Sequence, residues 1–453
     1  MVRGEIPMKK VITYGTYDLM HYGHIRLLKR AKALGDYLIV GVTSDAYDKE
    51  RGKINGTQSV LERVEAVKKT GLADEIIIEE YEGQKIDDII KYGVDIFTVG
   101  SDWEGKFDYL KDYCEVVYLD RTEGVSSSEI RSENKSIRMG IVGESNLTLK
   151  FRNECKYVNG VTISGLCYED VLEDKRTIKE FEFVTKEYNE LLDISDAVYV
   201  VSHPSKHYIH TKEALLASKH VICEAPIAET KEEIEELFKI ADEKNLVLMD
   251  SIKTAYSLAY QRLILLMKTG NIGDVVSIDA TCTSLRNYDL ENERMLNRRW
   301  GSYDAWGPTA LLPVFQLLGT NYKSYNILCK IGNQNVNFDL FTKIDFVYDN
   351  ACASIKVGNG VKSEGELIIS GTKGYAYVPA PWWKTEYFEI RHEDTSDVKK
   401  FYFKIDGEGI RYEIVAFLDL ITNGVKSLYI SRDISKEFVF LQSQIKSKGY
   451  IEI

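Results

Sequence analysis

The feature that most constrains this chain is a repeated alternation of short β-rich runs with helical stretches, which starts at VITY, residues 11–14. YLIVGV, EIII, DIFTV and EVVYL continue the series, with predicted helices ending near Ala33 and spanning 59–69 and 85–92. Short connections between such runs predict a parallel sheet with right-handed crossovers. The polar stretch 132–136, Ser-Glu-Asn-Lys-Ser, closes the series, and IRMGIVG opens a second one. That series continues with VTISGLCY, DAVYVVS, HVICEA and LVLMD, with helices at 207–218 and 230–243. From about residue 255 the strands SIDATCTSL, SYNILCKI, KIDFVY, ACASIKV, GELIISG and KKFYFKI have fewer helices between them, which predicts an antiparallel sheet. Helices are expected near 412–422 and 434–445. Residues 1–7, ahead of Met8, read as an extension outside the fold.

Charge narrows the partners. The chain carries 58 Lys plus Arg against 70 Asp plus Glu, a formal net charge of −12. Such a surface repels a phosphate backbone, so neither nucleic acid nor an anionic membrane is expected as the main partner. A small anion in a local basic pocket remains compatible. No apolar run reaches the roughly 18–20 residues that span a bilayer, and the first thirty residues hold no apolar signal core, so a cytoplasmic location is expected. The seven cysteines, at 114, 155, 167, 223, 282, 329 and 352, include no C-x-x-C pair. They are expected to be reduced, mostly buried and not metal-bound.

TYGTYDLMHYGHIRLLKRAK places a strand, a Gly-Thr turn, Asp18 and then His21-Tyr-Gly-His24 at the start of an amphipathic helix. Histidines three apart share one face of a helical turn. At the carboxyl edge of a parallel sheet, beside free N–H groups, they suit a polyphosphate. Together with GSDWEGKFDYLKDYCEVVYL (residues 100–119) and Arg121-Thr-Glu-Gly-Val-Ser-Ser-Ser128, this motif resembles the HxGH nucleotidyltransferases, and within them the glycerol-3-phosphate cytidylyltransferases. The likeness covers residues 8 to about 132.

The resemblance implies that a polyol-phosphate oxygen attacks the α-phosphorus of CTP in line while pyrophosphate leaves. The protein then chiefly positions the groups and neutralises charge. It gives catalytic roles to His21, His24, Lys53 and Arg121. Thr16, Asp18, Arg63, Asp102, Arg121, Ser126, Ser127 and Ser128 would bind the nucleotide, with Mg2+ accompanying CTP. Arg51 and Lys53 would meet the acceptor phosphate. For Arg63 the alternative is a solvated charge on an exposed helix face. Ser127-Ser128 replaces the family's Thr-Thr, and Gly71 stands where the family has an arginine, so Lys68 or Lys69 would substitute if that arginine touches phosphate.

Residues 137–453 resemble the glucose-fructose oxidoreductase/inositol dehydrogenase (Gfo/Idh/MocA) family, through IRMGIVG, DAVYVVSHPSKHYIHTKEALLASKHVICEAPIAET, MKTGNIGDVVSI and GELIISGTKGYAYV. A dinucleotide loop needs glycine where the backbone meets the pyrophosphate. Here Gly143 is kept, but Ser145 and Thr148 fill the other two places. Tyr168 takes the acidic slot, leaving Glu169 or Asp170 as substitutes. Ala225, after Glu224, stands for the family's proton-donating lysine, and Thr309 for its histidine. Gly143, Ser145 and Glu224 therefore read as the remnant of a dinucleotide site, and NAD(P) is disfavoured. His203, His207, His210 and His220 invite a metal reading, against which stands a structural or former substrate-site role. Trp382 and Trp383 either stack on a ligand or are buried.

The expected fold class is α/β: a Rossmann-like HxGH nucleotidyltransferase domain at 8–132, a second Rossmann domain at 137–255 and a C-terminal α/β open-sheet domain at 256–453. The expected function is a cytidylyltransferase that makes a CDP-polyol for cell-wall (teichoic acid) or capsule polymers. Its partners are CTP and a small polyol phosphate, and both resemblances imply a homodimer. The alternatives are a bifunctional enzyme whose C-terminal half is an NAD(P)-dependent reductase supplying the polyol phosphate, and a sensor or assembly subunit with both halves retired.

Overall fold

The computed structural model describes residues 8–18, 20, 22–44, 47–48, 60–120, 136–168, 175–405, 407–423 and 429–453. The expected extension 1–7 lies outside them. The chain divides into two compact units, residues 1–136 with 157–162, and residues 137–156 with 163–453.

In the first unit, β1 (Lys10–Gly15), β2 (Tyr37–Thr43), β3 (Glu75–Glu79), β4 (Ile96–Gly100) and β5 (Glu115–Leu119) form one sheet in the order β3-β2-β1-β4-β5. Every pairing is parallel. Alternate side chains leave opposite faces of a strand. Val11, Leu38, Val40 and Val42 accordingly enter one core with Leu28, Ala31 and Val67, while Ile12, Tyr14 and Ile39 enter the other with Ile89 and Phe97. The strand order reverses between β1 and β4, so the crevice outside their carboxyl ends is where a ligand can enter. The helix Tyr22–Lys32 follows β1 there.

In the second unit, β6 (Ile137–Val142), β7 (Val161–Cys167), β8 (Val184–Thr185), β9 (Ala197–Val200), β10 (His220–Glu224) and β11 (Leu248–Ser251) take the order β11-β10-β9-β6-β7-β8. Their order reverses between β6 and β9. A nine-stranded sheet follows, built from β12 (Val275–Thr283), β13 (Ser324–Asn333), β14 (Phe338–Val347), β15 (Cys352–Gly358), β16 (Leu367–Gly371), β17 (Tyr375–Val378), β18 (Tyr387–Arg391), β19 (Val398–Tyr402) and β20 (Ile451–Glu452). This sheet corrects the antiparallel expectation. β12 runs parallel to β15, and β13 to β20, while its other pairs are antiparallel. The helix Ser302–Leu318 lies between β12 and β13 in the chain and packs on β12, β14 and β15. Between them, that helix and the β13–β14 hairpin return the chain to β12 in the same direction. Gly307, Pro308 and Pro313 are poor helix formers, yet the helix forms because most of its side chains are buried.

Among the described residues no helix is long and apolar enough to cross a membrane. Cysteines 155, 167, 223, 282 and 329 are buried, Cys114 is half-buried, Cys352 is exposed, and all seven are free thiols.

At the end of β11, Asp250 is enclosed between the Rossmann sheet and the helix Arg432–Lys446, where Ser435 Oγ donates to its Oδ2 at 2.5 Å. Burial pushes this carboxyl up to about 6, opposed by the Ser435 hydrogen bond. The folded state therefore binds its proton more tightly than the unfolded chain. The resulting stabilisation is complete below the ordinary aspartate range and is lost as pH rises through about 6. Asp250→Asn, which keeps the neutral form at every pH, should raise unfolding stability at pH 7.5 by about 1–3 kcal/mol and flatten the pH slope between about 4 and 6. Urea denaturation at pH 5 and 7.5 measures both.

Candidate functional site

At the carboxyl edge of the first sheet the chain builds a clamp from side chains far apart in sequence. Thr16 Oγ1, just past β1, donates to Asp48 Oδ1 at 3.0 Å. Arg63, on the helix Val60–Lys69, lies 3.2 Å from Asp48 Oδ2, and both side chains are buried. Arg63 Nη1 also donates to the carbonyls of Thr16 at 2.7 Å and Thr43 at 2.9 Å. One guanidinium thus pins the ends of two adjacent strands. Arg63 is not the solvated surface charge that the helix reading allowed.

A second polar cluster adjoins the first. Thr43 Oγ1 donates to Glu79 Oε2 at 3.0 Å, and Glu79 Oε1 pairs with Lys85. Lys85 also stands 4.7 Å over the Tyr14 ring, whose hydroxyl donates to Asp88 at 2.8 Å. Burial and then Asp88 hold Tyr14 protonated far above the ordinary tyrosine range. Sequence reading missed Glu79, Lys85 and Asp88. No signal marked them, since charged residues close to a strand end and at the start of the next helix are ordinarily solvated.

His24 stands on the first turn of Tyr22–Lys32, its ring edge-on to Tyr17 at 5.5 Å. Tyr17 is buried and adopts φ 55, a left-handed bend that turns the chain from β1 into the loop carrying Asp18. The structure thus places Thr16, Asp18, His24 and Arg63 on the loop and helices around the carboxyl ends of β1 and β2. The turn Ser101–Trp103 holds Asp102 after β4, but that side chain lies outside the described residues. So do His21, Arg51, Lys53, Arg121, Ser126, Ser127 and Ser128. Gly71 has φ 65, with open space where a Cβ would stand, and follows the end of its helix. Lys68 faces Glu65 at 3.8 Å on the exposed side.

In the second unit, Gly143 follows β6 with φ 105, and a Cβ there would stand 2.3 Å from the Ser202 backbone. The glycine is therefore required by the chain's own packing. Next to it, the hydroxyls that replace glycine bind the loop itself. Ser145 N–H donates to Thr148 Oγ1 at 3.0 Å, and Leu147 N–H donates to Ser145 Oγ at 3.0 Å. These N–H groups are of the kind that would otherwise face a pyrophosphate. Glu169 and Asp170 lie outside the described residues.

Glu224 is enclosed, and accepts from Tyr199 Oη at 2.5 Å and from Ser251 Oγ at 2.7 Å. Ser251 Oγ also lies 3.2 Å from Glu413 Oε2. One hydroxyl proton serves only one carboxylate, and burial raises the pKa of both acids, with Lys253 opposing it. Ala225 is buried and Thr309 half-buried. Both ring nitrogens of His207 meet backbone carbonyls, Pro226 O at 2.7 Å and Ser202 O at 2.9 Å. His203 caps its helix, accepting from Ser205 N–H at 3.3 Å. His210 Nδ1 lies 2.9 Å from Ser202 Oγ, and His220 Nδ1 accepts from Val247 N–H at 3.0 Å. Trp382 is buried with its Nε1 on Thr281 O, whereas Trp383 is half-buried.

Residues 12–133 match the family model described as cytidylyltransferase-like, and residues 137–251 match that of the oxidoreductase family with an NAD-binding Rossmann fold. A glycerol-3-phosphate cytidylyltransferase of Bacillus subtilis strain 168 is 52% identical over 126 residues, which is 28% of this chain and 97% of that protein. One from Bacillus spizizenii is 50% identical over 130 residues, 29% of this chain and 100% of that protein. Among solved structures, KijD10, a 3-ketoreductase from Actinomadura kijaniata in complex with NADP and TDP-benzene, is 16% identical with a TM-score of 0.61, covering 70% of this chain and 98% of that one. That likeness concerns the fold.

Removing the guanidinium would take the Arg63 charge away from buried Asp48. Arg63→Met should destabilise the first unit by about 3–5 kcal/mol. Chemical denaturation followed by Trp103 fluorescence, in a background with the other four tryptophans replaced by Phe, measures it. An unchanged midpoint would refute the clamp.

Proposed function

We propose, from the premise that this chain belongs to the cytidylyltransferase-like family through residues 12–133, that its first unit transfers the cytidylyl group of CTP to glycerol 3-phosphate or a related polyol phosphate. The observation that carries this reading is at least 50% identity to glycerol-3-phosphate cytidylyltransferases over essentially their whole length. An oxygen of the acceptor phosphate forms the new bond to the α-phosphorus, the bond to the β-phosphate oxygen breaks, and pyrophosphate leaves. His21 and His24 donate hydrogen bonds to the phosphate oxygens on which charge builds. Arg121 and Ser126 to Ser128 hold the outer phosphates, Asp18 and Asp102 orient the nucleotide, and Arg51 and Lys53 receive the acceptor phosphate. Arg63 serves the nucleotide through Thr16 and Asp48, as a positioning residue. Among the described residues no three His, Cys, Asp or Glu side chains gather as a metal site. Magnesium enters with CTP as the Mg–CTP substrate, held mainly by phosphate and water.

For the second unit we infer an oxidoreductase fold without hydride transfer. The loop hydrogen bonds of Ser145 and Thr148, with Ala225 at the lysine position, support this. A dinucleotide does not fit a loop whose N–H groups are already bonded. The second reading, a reductase that supplies the polyol phosphate, draws on the NADP found with its fold neighbour KijD10.

His24→Ala should lower pyrophosphate release from CTP and glycerol 3-phosphate by about 10²–10³-fold with the fold intact. Unchanged turnover would remove the histidine from the mechanism. Titration of the full chain with NADPH should leave nicotinamide fluorescence unaltered. Saturable binding would favour the reductase.

A further inference from the structure

One side chain of the first unit, Tyr17, joins His24 to the strand it follows. The two rings meet at 5.5 Å between centroids with 71° between their planes, an edge-on contact. Tyr17 is 2% exposed and His24 half-buried, so one ring belongs to the core and the other stands at its rim. Tyr17 is itself fixed from several sides. Its φ is 55, and a Cβ on Gly15 would stand 3.0–3.3 Å from three of its ring carbons, so the ring lies directly over that glycine. It shares a core with Val11 of β1, Leu28 and Ala31 of the helix that carries His24, and Val67 of the helix that carries Arg63. The peptide before it is held as well, since Arg63 Nη1 donates to the Thr16 carbonyl at 2.7 Å. Burial keeps the Tyr17 hydroxyl protonated above the ordinary tyrosine range, so the ring beside His24 is uncharged.

A histidine in this place needs such a support. A donor stabilises a developing oxyanion only from about 2.7–3.1 Å, and a displacement of about 1 Å costs on the order of 10²-fold in rate. His24 has two side-chain torsions, and on the first turn of Tyr22–Lys32 no earlier turn of the helix restricts them. Its neighbour Gly23 brings no side chain to lean on, and Tyr22 is 59% exposed. An edge-on aromatic contact favours one arrangement of the imidazole by up to about tenfold.

We propose that Tyr17 is a positioning residue for cytidylyl transfer, whose buried ring, seated over Gly15, holds the His24 imidazole in the orientation from which it donates to a phosphate oxygen of CTP. The inference rests on the proposed function and deepens it by naming what keeps His24 in place. Tyr17 acts through His24 and makes no contact of its own with the reacting atoms. Gly15 is the floor that lets the ring lie flat against the strand.

Pyrophosphate release from CTP and glycerol 3-phosphate by the full chain, with each variant checked for folding by its melting temperature, tests it. Tyr17→Leu should lower kcat about tenfold. The KM for CTP should change by less than about threefold, since orientation in the transition state is lost and ground-state binding is not. Tyr17→Phe keeps the ring and should hold kcat within about threefold of wild type. Gly15→Ala, whose methyl presses on the ring, should lower kcat by a smaller factor than Tyr17→Leu. In a His24→Ala background Tyr17→Leu should cost nothing further, because the group it positions is gone. A folded Tyr17→Leu with wild-type kcat overturns the proposal, and so does an equal loss with and without His24, which a merely structural role would give. Nuclear Overhauser contacts between the Tyr17 and His24 rings, read in wild-type protein protonated only at Tyr and His, report the pairing without turnover. They should be present before CTP is added, and their absence overturns the proposal whichever variants fold. Wild type that shows these contacts and releases no pyrophosphate would sink the proposed function and leave the ring pairing standing.

Discussion

Parallel pairing is the constraint on which both units depend. Strands that all run one way cannot be joined by tight turns, so every connection crosses a face of the sheet and the loops collect at the strand ends. β1 and β4 in the first sheet, and β6 and β9 in the second, are neighbours whose connections leave toward opposite sides. That reversal opens a crevice at their carboxyl ends. Thr16 and Asp18 stand at one such edge, and Gly143, Ser145 and Glu224 at the other. The chemistry differs because the loops differ, while the scaffold that creates the place is common to both.

The two edges use positive charge in opposite ways. At the first, Arg63 Nη1 meets Asp48 and two backbone carbonyls. A buried guanidinium held in this way fixes the geometry of two strand ends. At the second, Lys150, Lys253 and Lys384 share a single carboxylate. A compact ammonium on a flexible stem is strongly hydrated and readily exchanges one oxygen partner for another. The first arrangement ties two strand ends together, and the second ties three separate segments to the turn that carries Glu408.

Much of this was legible in the sequence, because strands of parallel sheets are continuous apolar runs and the His21–His24 motif follows one directly. β1 to β7 and β9 to β11 fall on the runs read as strands. The two-residue β8, Val184–Thr185, is too short to leave a pattern. The helix Ser302–Leu318 was not read from the sequence, and in it burial overrides the low helix propensity of Pro308 and Pro313. The parallel pairing of β12 with β15 was illegible because pattern reports that a strand exists, not which neighbour it takes. Arg63 was legible as a residue and not as a clamp. Its partners Thr16, Thr43 and Asp48 lie 15 to 47 positions away, and nothing local marks them as neighbours. The lysine cluster was invisible for the same reason, as its residues are drawn from positions 150, 253, 384 and 408.

The loop after β6 shows how an oxidoreductase fold can be kept while the hydrogen bonding of its first loop changes. A pyrophosphate is held where backbone N–H groups stay unsatisfied until the ligand arrives. Placing a hydroxyl at Ser145 and another at Thr148 satisfies the N–H groups of Leu147 and Ser145 within the loop. A dinucleotide would have to break both bonds and displace two side chains that glycine would not present. The Glu224–Glu413 pair adds to this. With Ala225 beside it, the position next to Glu224 supplies no ammonium, and Ser251 Oγ stands between the two acids, 2.7 Å from Glu224 and 3.2 Å from Glu413.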